Sequence, residues 1–379
     1  MSLTNVFMSD NRILAQFNEL TKHLEKDDIT LLLQLLRQNR GREFEVLTEL
    51  MGYTYRWKPV GTREFIESEE YLGVKGQVFP KLLDDLEELF DSGQYDEAVM
   101  CGAIGWGKST FAEHCMVRMV YEASCLRNPQ RAYELADGTP ISFVNVSLNF
   151  TQAKKVVFTG VKNKIMASPY FRNKFPLDTN NAEELRFPGN IWINPSVDPI
   201  GLNVYGGVID EANFMGLVEK SKQARGGLYD QAKSLHDTLM RRMKSRFMRK
   251  GKMPRVLVSI SSSMYPDDFT EKKGNEARDN SSIFFRRYSQ WGTKPEKFFS
   301  DERFYVSLGD SSRKPKVCKD EEEAEALRKL DIQVIEVPID YEQDFKIDLS
   351  GSIRDLAGYP TLTIKPFILQ RNKIFEPLS

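Results

Sequence analysis

The sequence predicts an α/β protein with a central, mainly parallel sheet flanked by helices, a helical region before it and a small lid-like unit after it. Three observations carry this. From about residue 66 to 298, β-type runs alternate with helical ones, as when covering helices join parallel strands. The preceding residues read mostly as helix, with a capped apolar segment from Asp27 to Gln38 that stops near Gly41. Beyond about 300 the texture changes to short strands, Arg303–Leu308 and Ile332–Val337, around the acidic helical run Asp320–Lys329. The expected divisions are 1–65, 66–298 and 299–379.

The central elements follow in order. Glu97–Cys101 reads as a short buried strand, and Gly102-Ala103-Ile104-Gly105-Trp106-Gly107-Lys108-Ser109-Thr110 then fits G-x-x-x-x-G-K-[ST] at every constrained position. Glycines let the backbone wrap phosphates without a Cβ clash, and successive N–H groups at a helix start point at the anion. Lys108 adds positive charge, and Ser109 offers a hydroxyl to Mg²⁺. The run from Ser109 to Val120 reads as the helix leaving the loop, apolar at Phe111, Cys115, Val117, Met119 and Val120. The expected ligands are ATP and Mg²⁺.

Further strands are expected at Ile141–Val146, Asn190–Asn194, Val204–Ile209 and Arg255–Ile260. The third runs into Asp210-Glu211-Ala212: a carboxylate ending a central strand suits the metal shell, a role for Asp210, and its neighbour Glu211 suits polarisation of the attacking water. The fourth runs into Ser261-Ser262-Ser263, the place of a polar residue that senses the terminal phosphate in P-loop NTPases of the RecA-like, additional-strand class. A guanine-reading Asn-Lys-x-Asp is lacking, because Asn163-Lys-Ile-Met166 has no Asp. A small-molecule kinase has no need of a water-polarising Glu, so hydrolysis of ATP is favoured over transfer.

The composition bounds the rest. A chain of 379 residues with 41% hydrophobic content can bury a large core. No apolar run approaches the roughly 20 residues that cross a bilayer, and the first residues lack the pattern of a signal peptide, so an intracellular protein with no membrane partner is expected. Cys101, Cys115, Cys125 and Cys318 have no metal-ligand spacing and read as buried, reduced side chains. His23, His114 and His236 are scattered, against a zinc site or a His-based triad. The net charge of −1 hides a block, Arg241 to Arg255, with eight basic residues and no acid. Such a block suggests a polyanion or a neighbouring subunit's nucleotide. Pro266–Asp268 signals a turn, Glu271–Asn280 reads as a polar mobile stretch, and Asp340–Ile368 reads as a connector.

The order of these motifs, with Ser147–Lys154 after the second strand, resembles the large terminase subunit of tailed bacteriophages over roughly residues 60 to 370. Asp210-Glu-Ala-Asn213-Phe-Met215, Arg242-x-x-Ser245-Arg246-Phe247, Val337-Pro-Ile-Asp-Tyr-x-x-Asp-Phe345 and Arg354-Asp-Leu-Ala-Gly358 add to the likeness. The resemblance implies an ATP-driven motor that packages double-stranded DNA, working as a ring on the procapsid with a portal protein and a small terminase subunit, in the host cell cytoplasm. It implies that Ser261–Ser263 couple hydrolysis to movement and that Gln77 reads adenine. Many terminases carry an arginine inside the phosphate loop, and here Ala103, Ile104 and Trp106 stand there. Arg241, Arg242 and Arg246 are the candidates to replace it, in the same chain or a neighbouring one. Terminases usually continue into a two-metal nuclease; the acids Asp340, Asp344 and Asp348 lie in a linker pattern, so no nuclease activity is expected of this chain. The alternatives from other classes are a helicase-like nucleic-acid-dependent ATPase and a nucleotide-controlled binding switch.

Overall fold

A computed structural model of the chain describes residues 11–21, 26–147, 157–180, 183–196, 201–215, 217–219, 228–249, 251–310 and 312–361. The segment 148–156, quoted above for its resemblance, lies outside the described residues, as does 362–379.

Helices α1 (Asn11–Thr21), α2 (Lys26–Gln38) and α3 (Glu43–Thr54) come first. Their apolar faces send Phe17, Leu20, Leu32, Leu36 and Leu47 into the same buried cluster as the helices that cover the sheet. The chain then runs along α6 (Lys108–Cys125), where the Arg56 N–H donates to the Cys125 carbonyl at 2.7 Å. Between them, α4 (Thr62–Glu67) and α5 (Pro80–Asp91) lie beside α6; α5 opens on Pro80, whose missing N–H costs nothing in a first turn.

The main sheet holds β1 (Glu97–Gly102), β2 (Ile141–Val146), β3 (Leu185–Phe187), β4 (Ile191–Ser196), β5 (Val204–Asp210), β8 (Leu257–Ser262) and β9 (Ile283–Tyr288). Its order is β3-β4-β2-β5-β8-β1-β9, and every pairing is parallel except β3 with β4. Every residue of β1, β2 and β5 is buried, which is why these strands read as near-continuous apolar runs rather than alternating ones. One face packs under α6 and α7 (Thr159–Ala167); the other packs under α8 (Gln231–Phe247), which seats Ala232, Leu239 and Met243 against Val144, Val204 and Leu257. A short hairpin, β6 (Leu217–Glu219) and β7 (Leu228–Asp230), precedes α8. With β8 between β1 and β5, the fold is the additional-strand P-loop architecture that the motif order implies.

The C-terminal unit is a three-stranded antiparallel sheet, β11-β10-β12, from β10 (Arg303–Ser307), β11 (Lys316–Val317) and β12 (Val334–Pro338), with α10 (Glu321–Arg328). Its core is Val306, Val337, Phe345, Ile353 and Ala357.

Two expectations are corrected. The polar stretch Glu271–Asn280 is not loop but part of α9 (Phe269–Asp279). Its polar residues are spent on partners that a sequence window does not contain: Glu271 takes both oxygens to Arg287 at 2.7 Å, Lys273 pairs with buried Glu97 at 3.1 Å, and Gly274 lets the Phe285 ring come close. The supposed connector folds as α11 (Glu342–Ile347) and α12 (Leu349–Asp355), as far as it is described. Asp340 accepts from the Ser300 N–H at 2.9 Å and Asp348 caps α12 through the Gly351 N–H at 2.9 Å, so these acids are turn and cap residues rather than linker charges.

Strand β9 passes very close to the start of the phosphate loop. Gly102 sits at φ 146°, and a Cβ there would lie 2.0 Å from the Tyr288 carbonyl oxygen. Gly102→Ala is therefore expected to cost about 2 kcal/mol or more. Urea unfolding of both proteins checks it, and an unchanged midpoint would contradict the close approach of β9.

Candidate nucleotide site

The site forms where β1, β5 and β8 end side by side. Register explains the meeting: Gly102 pairs with Ser262 and Asp210 pairs with Ile260, so β8 reaches past β5 to the level of the loop. The loop turns through Gly105 and Gly107, at φ 81° and 110°, and α6 starts at Lys108 without a side-chain cap. Its opening N–H groups are thus left for an anion. The Ala103 N–H donates to the Tyr288 carbonyl and the Ile104 N–H to the Asp355 carbonyl, both at 2.8 Å, which pins the loop's outer side. Trp106 is fully buried, with its ring 5.6 Å from that of Tyr288, while Ile104 is exposed.

Lys108 joins the three strands. Its Nζ donates to Glu211 Oε1 at 3.0 Å and to Ser262 Oγ at 2.5 Å. Glu211 leaves β5 in the left-handed region, at φ 55°, and its Oε2 is buried without a hydrogen-bond partner among the described residues. Asp210 is buried, and burial first, then the adjacent Glu211 charge, push its pKa up to about 6 against the pull of Lys108. Ser261 is buried and accepts from the Asn213 N–H at 3.0 Å, and Ser263 donates to the Gly358 carbonyl at 2.7 Å. Ser109 and Thr110 occupy the first turn of α6, half-buried.

An uncapped helix start, an ammonium, the buried Asp210 carboxylate and the unpaired Oε2 of half-buried Glu211 fit a magnesium nucleotide. Mg²⁺ needs one or two carboxylates when phosphates supply other ligands, and Asp210 with the Ser109 hydroxyl meet that need. When bound, the metal supplies charge neutralisation at the phosphate oxygens.

Residues 17–307 match the family described as "Uncharacterized protein MJ0330, N-terminal P-loop domain". The chain belongs to that family. The curated proteins gave no match. Among solved structures, the large terminase of a thermophilic bacteriophage is similar at 12% identity over 59% of this chain and 47% of that one, with a TM-score of 0.40. The complex of that terminase with ATP-γ-S is similar at 12% identity over 57% and 46%, with a TM-score of 0.37. The chain spans about half the length of that terminase.

The remaining candidates of this P-loop domain are placed as follows. Gln77 is exposed in the turn that enters α5, the helix whose Leu82 would meet a Cβ on Gly107 at 2.7 Å. Arg241, Arg242 and Arg246, left open above between the same chain and a neighbouring one, are not at the phosphate loop of their own chain. They lie on the last turns of α8, and Arg242 donates to the Leu202 carbonyl, just before β5 begins, at 3.4 Å. That edge and the loop are separated by the length of the strands, about 20 Å for six residues. Sequence reasoning also missed Asn213, which ties the end of β5 to Ser261 and Ser262 and accepts from the Thr270 N–H at 3.0 Å. Its place two residues after Glu211 is the available signal.

The raised Asp210 pKa makes a stability prediction with a definite sign. Between about pH 4 and 6 the unfolded chain releases this proton and the folded chain keeps it. Folding stability therefore falls as pH rises through that window, and the loss, on the order of 2–3 kcal/mol, is complete above it. Asp210→Asn should abolish that slope and be the more stable protein at neutral pH. Denaturant unfolding across the window checks this, and an unaltered slope would contradict it.

Proposed function

We propose that this P-loop domain hydrolyses ATP with Mg²⁺ and that hydrolysis moves double-stranded DNA, as in the motor portion of a viral packaging terminase. The observation that carries the ATPase reading is the position of Lys108, bonded at once to Glu211 and to Ser262. The terminase assignment is supported by the motif order in the sequence. Its partners on this reading are duplex DNA, a portal protein, a small terminase subunit and further copies in a ring on the procapsid, in the host cell cytoplasm.

The residues divide the work. The loop amides and Lys108 bind and orient the phosphates, while Ser109 and Asp210 hold the metal. Glu211 accepts the proton of the attacking water; its second oxygen is the one with no partner inside the protein. An anion at Lys108 competes with Glu211 for the same ammonium, so arrival of phosphate frees the carboxylate for water. Ser262 shares that ammonium and reports the change along β8. Gln77 contacts adenine.

Glu211→Gln keeps the shape and removes the base. It should leave nucleotide affinity within a few-fold and lower the ATPase kcat by on the order of 10²–10⁴. Steady-state turnover and binding of a fluorescent nucleotide check both halves; normal turnover in the variant would remove Glu211 from the chemistry. Stimulation of turnover by duplex DNA, with displacement of a third strand from a triplex, would separate a translocating motor from a strand-separating helicase and from a slow switch.

A further inference from the structure

Of the eight basic residues between Arg241 and Arg255, three have work inside the protein. Arg242 bonds the Leu202 carbonyl, Arg249 donates to the Tyr133 carbonyl at 2.7 Å, and Arg255 pairs with Glu122 at 3.0 Å. Arg241, Lys244, Arg246 and Lys252 are exposed, and no carboxylate lies within ion-pair distance of any of them among the described residues. The nearby acids are engaged elsewhere. Glu122 serves Arg118 and Arg255, Asp91 accepts from the Thr62 N–H and hydroxyl, and Asp96 accepts from the Met253 N–H. Arg241, Lys244 and Arg246 lie on the last two turns of α8, the Arg249 and Lys252 main chains bond to each other in the loop just after it, and Lys244 and Lys252 both bear electrostatically on Asp96, so the four cations gather at one end of that helix. Lys252 and Lys58 also line one cavity of about 580 Å³ at this edge of the sheet.

We propose that this patch, at the sheet edge opposite the nucleotide site, binds the phosphate backbone of duplex DNA through Arg241, Lys244, Arg246 and Lys252. The inference rests on the DNA-moving function proposed above and supplies the surface that reading lacked. Unpaired exposed cations are attracted to phosphates without reading bases, so the contact is sequence-independent and gains from counterion release. Its place gives it a route to the ATP chemistry. The loop that holds Lys252 is tied to Asp96 by the Met253 N–H, and the Leu257 N–H donates to the Asp96 carbonyl at 3.1 Å. Asp96 and Leu257 stand at the starts of β1 and β8, and the far ends of those two strands are Gly102 and Ser262.

The test is fluorescence anisotropy of a labelled duplex over a series of salt concentrations. Three proteins are compared: the wild type, the fourfold variant Arg241→Ala/Lys244→Ala/Arg246→Ala/Lys252→Ala, and a charge-matched control, Lys297→Ala/Lys314→Ala/Lys319→Ala/Lys329→Ala. Thermal melting and binding of a nucleotide analogue establish that each is folded. Four phosphate contacts predict a log–log salt slope of about −3.6 or steeper for the wild type, and the patch variant should lose about that much slope and at least about tenfold in affinity. The control should bind like the wild type. Equal binding by wild type and patch variant overturns the surface and leaves the DNA-moving function standing. A patch variant that changes sedimentation but not DNA affinity also overturns it, making the patch a contact between copies. Absence of duplex binding by the wild type at low salt overturns both.

Discussion

One ammonium group sets the geometry of this molecule. Lys108 meets Glu211 and Ser262 together because β8 lies between β1 and β5 and carries Ser262 past the end of β5 to the level of the phosphate loop. The parallel registers accomplish this, with β8 running two residues past the end of β5. Parallel neighbours cannot be joined by tight turns, so the chain crosses from β1 to β2, from β5 to β8 and from β8 to β9 by way of α6, α8 and α9, and the layered fold follows. The helices on both faces leave these strands no wet side, hence their apolar runs.

The site is held at a cost to the fold. Burying Asp210 beside another carboxylate works against its ionisation, and Glu211 occupies a backbone region that suits glycine better. What sustains this is packing around the loop rather than within it. Trp106 is buried against Tyr288, and the loop's outer amides are taken up by β9 and by the end of α12. The C-terminal unit is thus a brace for the phosphate loop.

The parts of the site legible in the sequence are those whose chemistry is local. A glycine loop needs its glycines in consecutive places, an acidic pair needs the end of an apolar run, and both appear as strings. Glu271 and Arg287 are sixteen residues apart and meet only because α9 packs on β9; neither window announces the other. The helix α9 reads as mobile for the same reason, since its order comes from side chains on other elements. Asp340 and Asp348 read as linker acids because a cap is visible only once the turn it closes is known. For the arginines of α8 the choice between the same chain and a neighbouring one stayed open in the sequence, because helical periodicity gives a residue's face but not which edge of the sheet its turn overlies.

Arg287 shows how the brace reaches β8. It sits level with Cys101 on β9, holds Glu271 of α9 by two bonds, and donates to the Gly358 carbonyl at 3.0 Å. The same carbonyl accepts from Ser263, and the Ser263 N–H donates to the Gly102 carbonyl at 3.0 Å. The exit of β8, the entry of the phosphate loop and the last residues of the C-terminal unit are therefore one hydrogen-bonded knot. A displacement of Ser262 cannot stay local, because its neighbour Ser263 is bonded on both sides. Gly358 cannot yield alone either: at φ 77° a Cβ there would lie 2.5 Å from the Tyr288 carbonyl oxygen, so even that side of the knot is packed to contact. The exit of β8 is thus joined to the C-terminal unit by the buried Ser263 hydroxyl and the Arg287 guanidinium, both donating to the Gly358 carbonyl, and to the phosphate loop by the main-chain bond from Ser263 to Gly102.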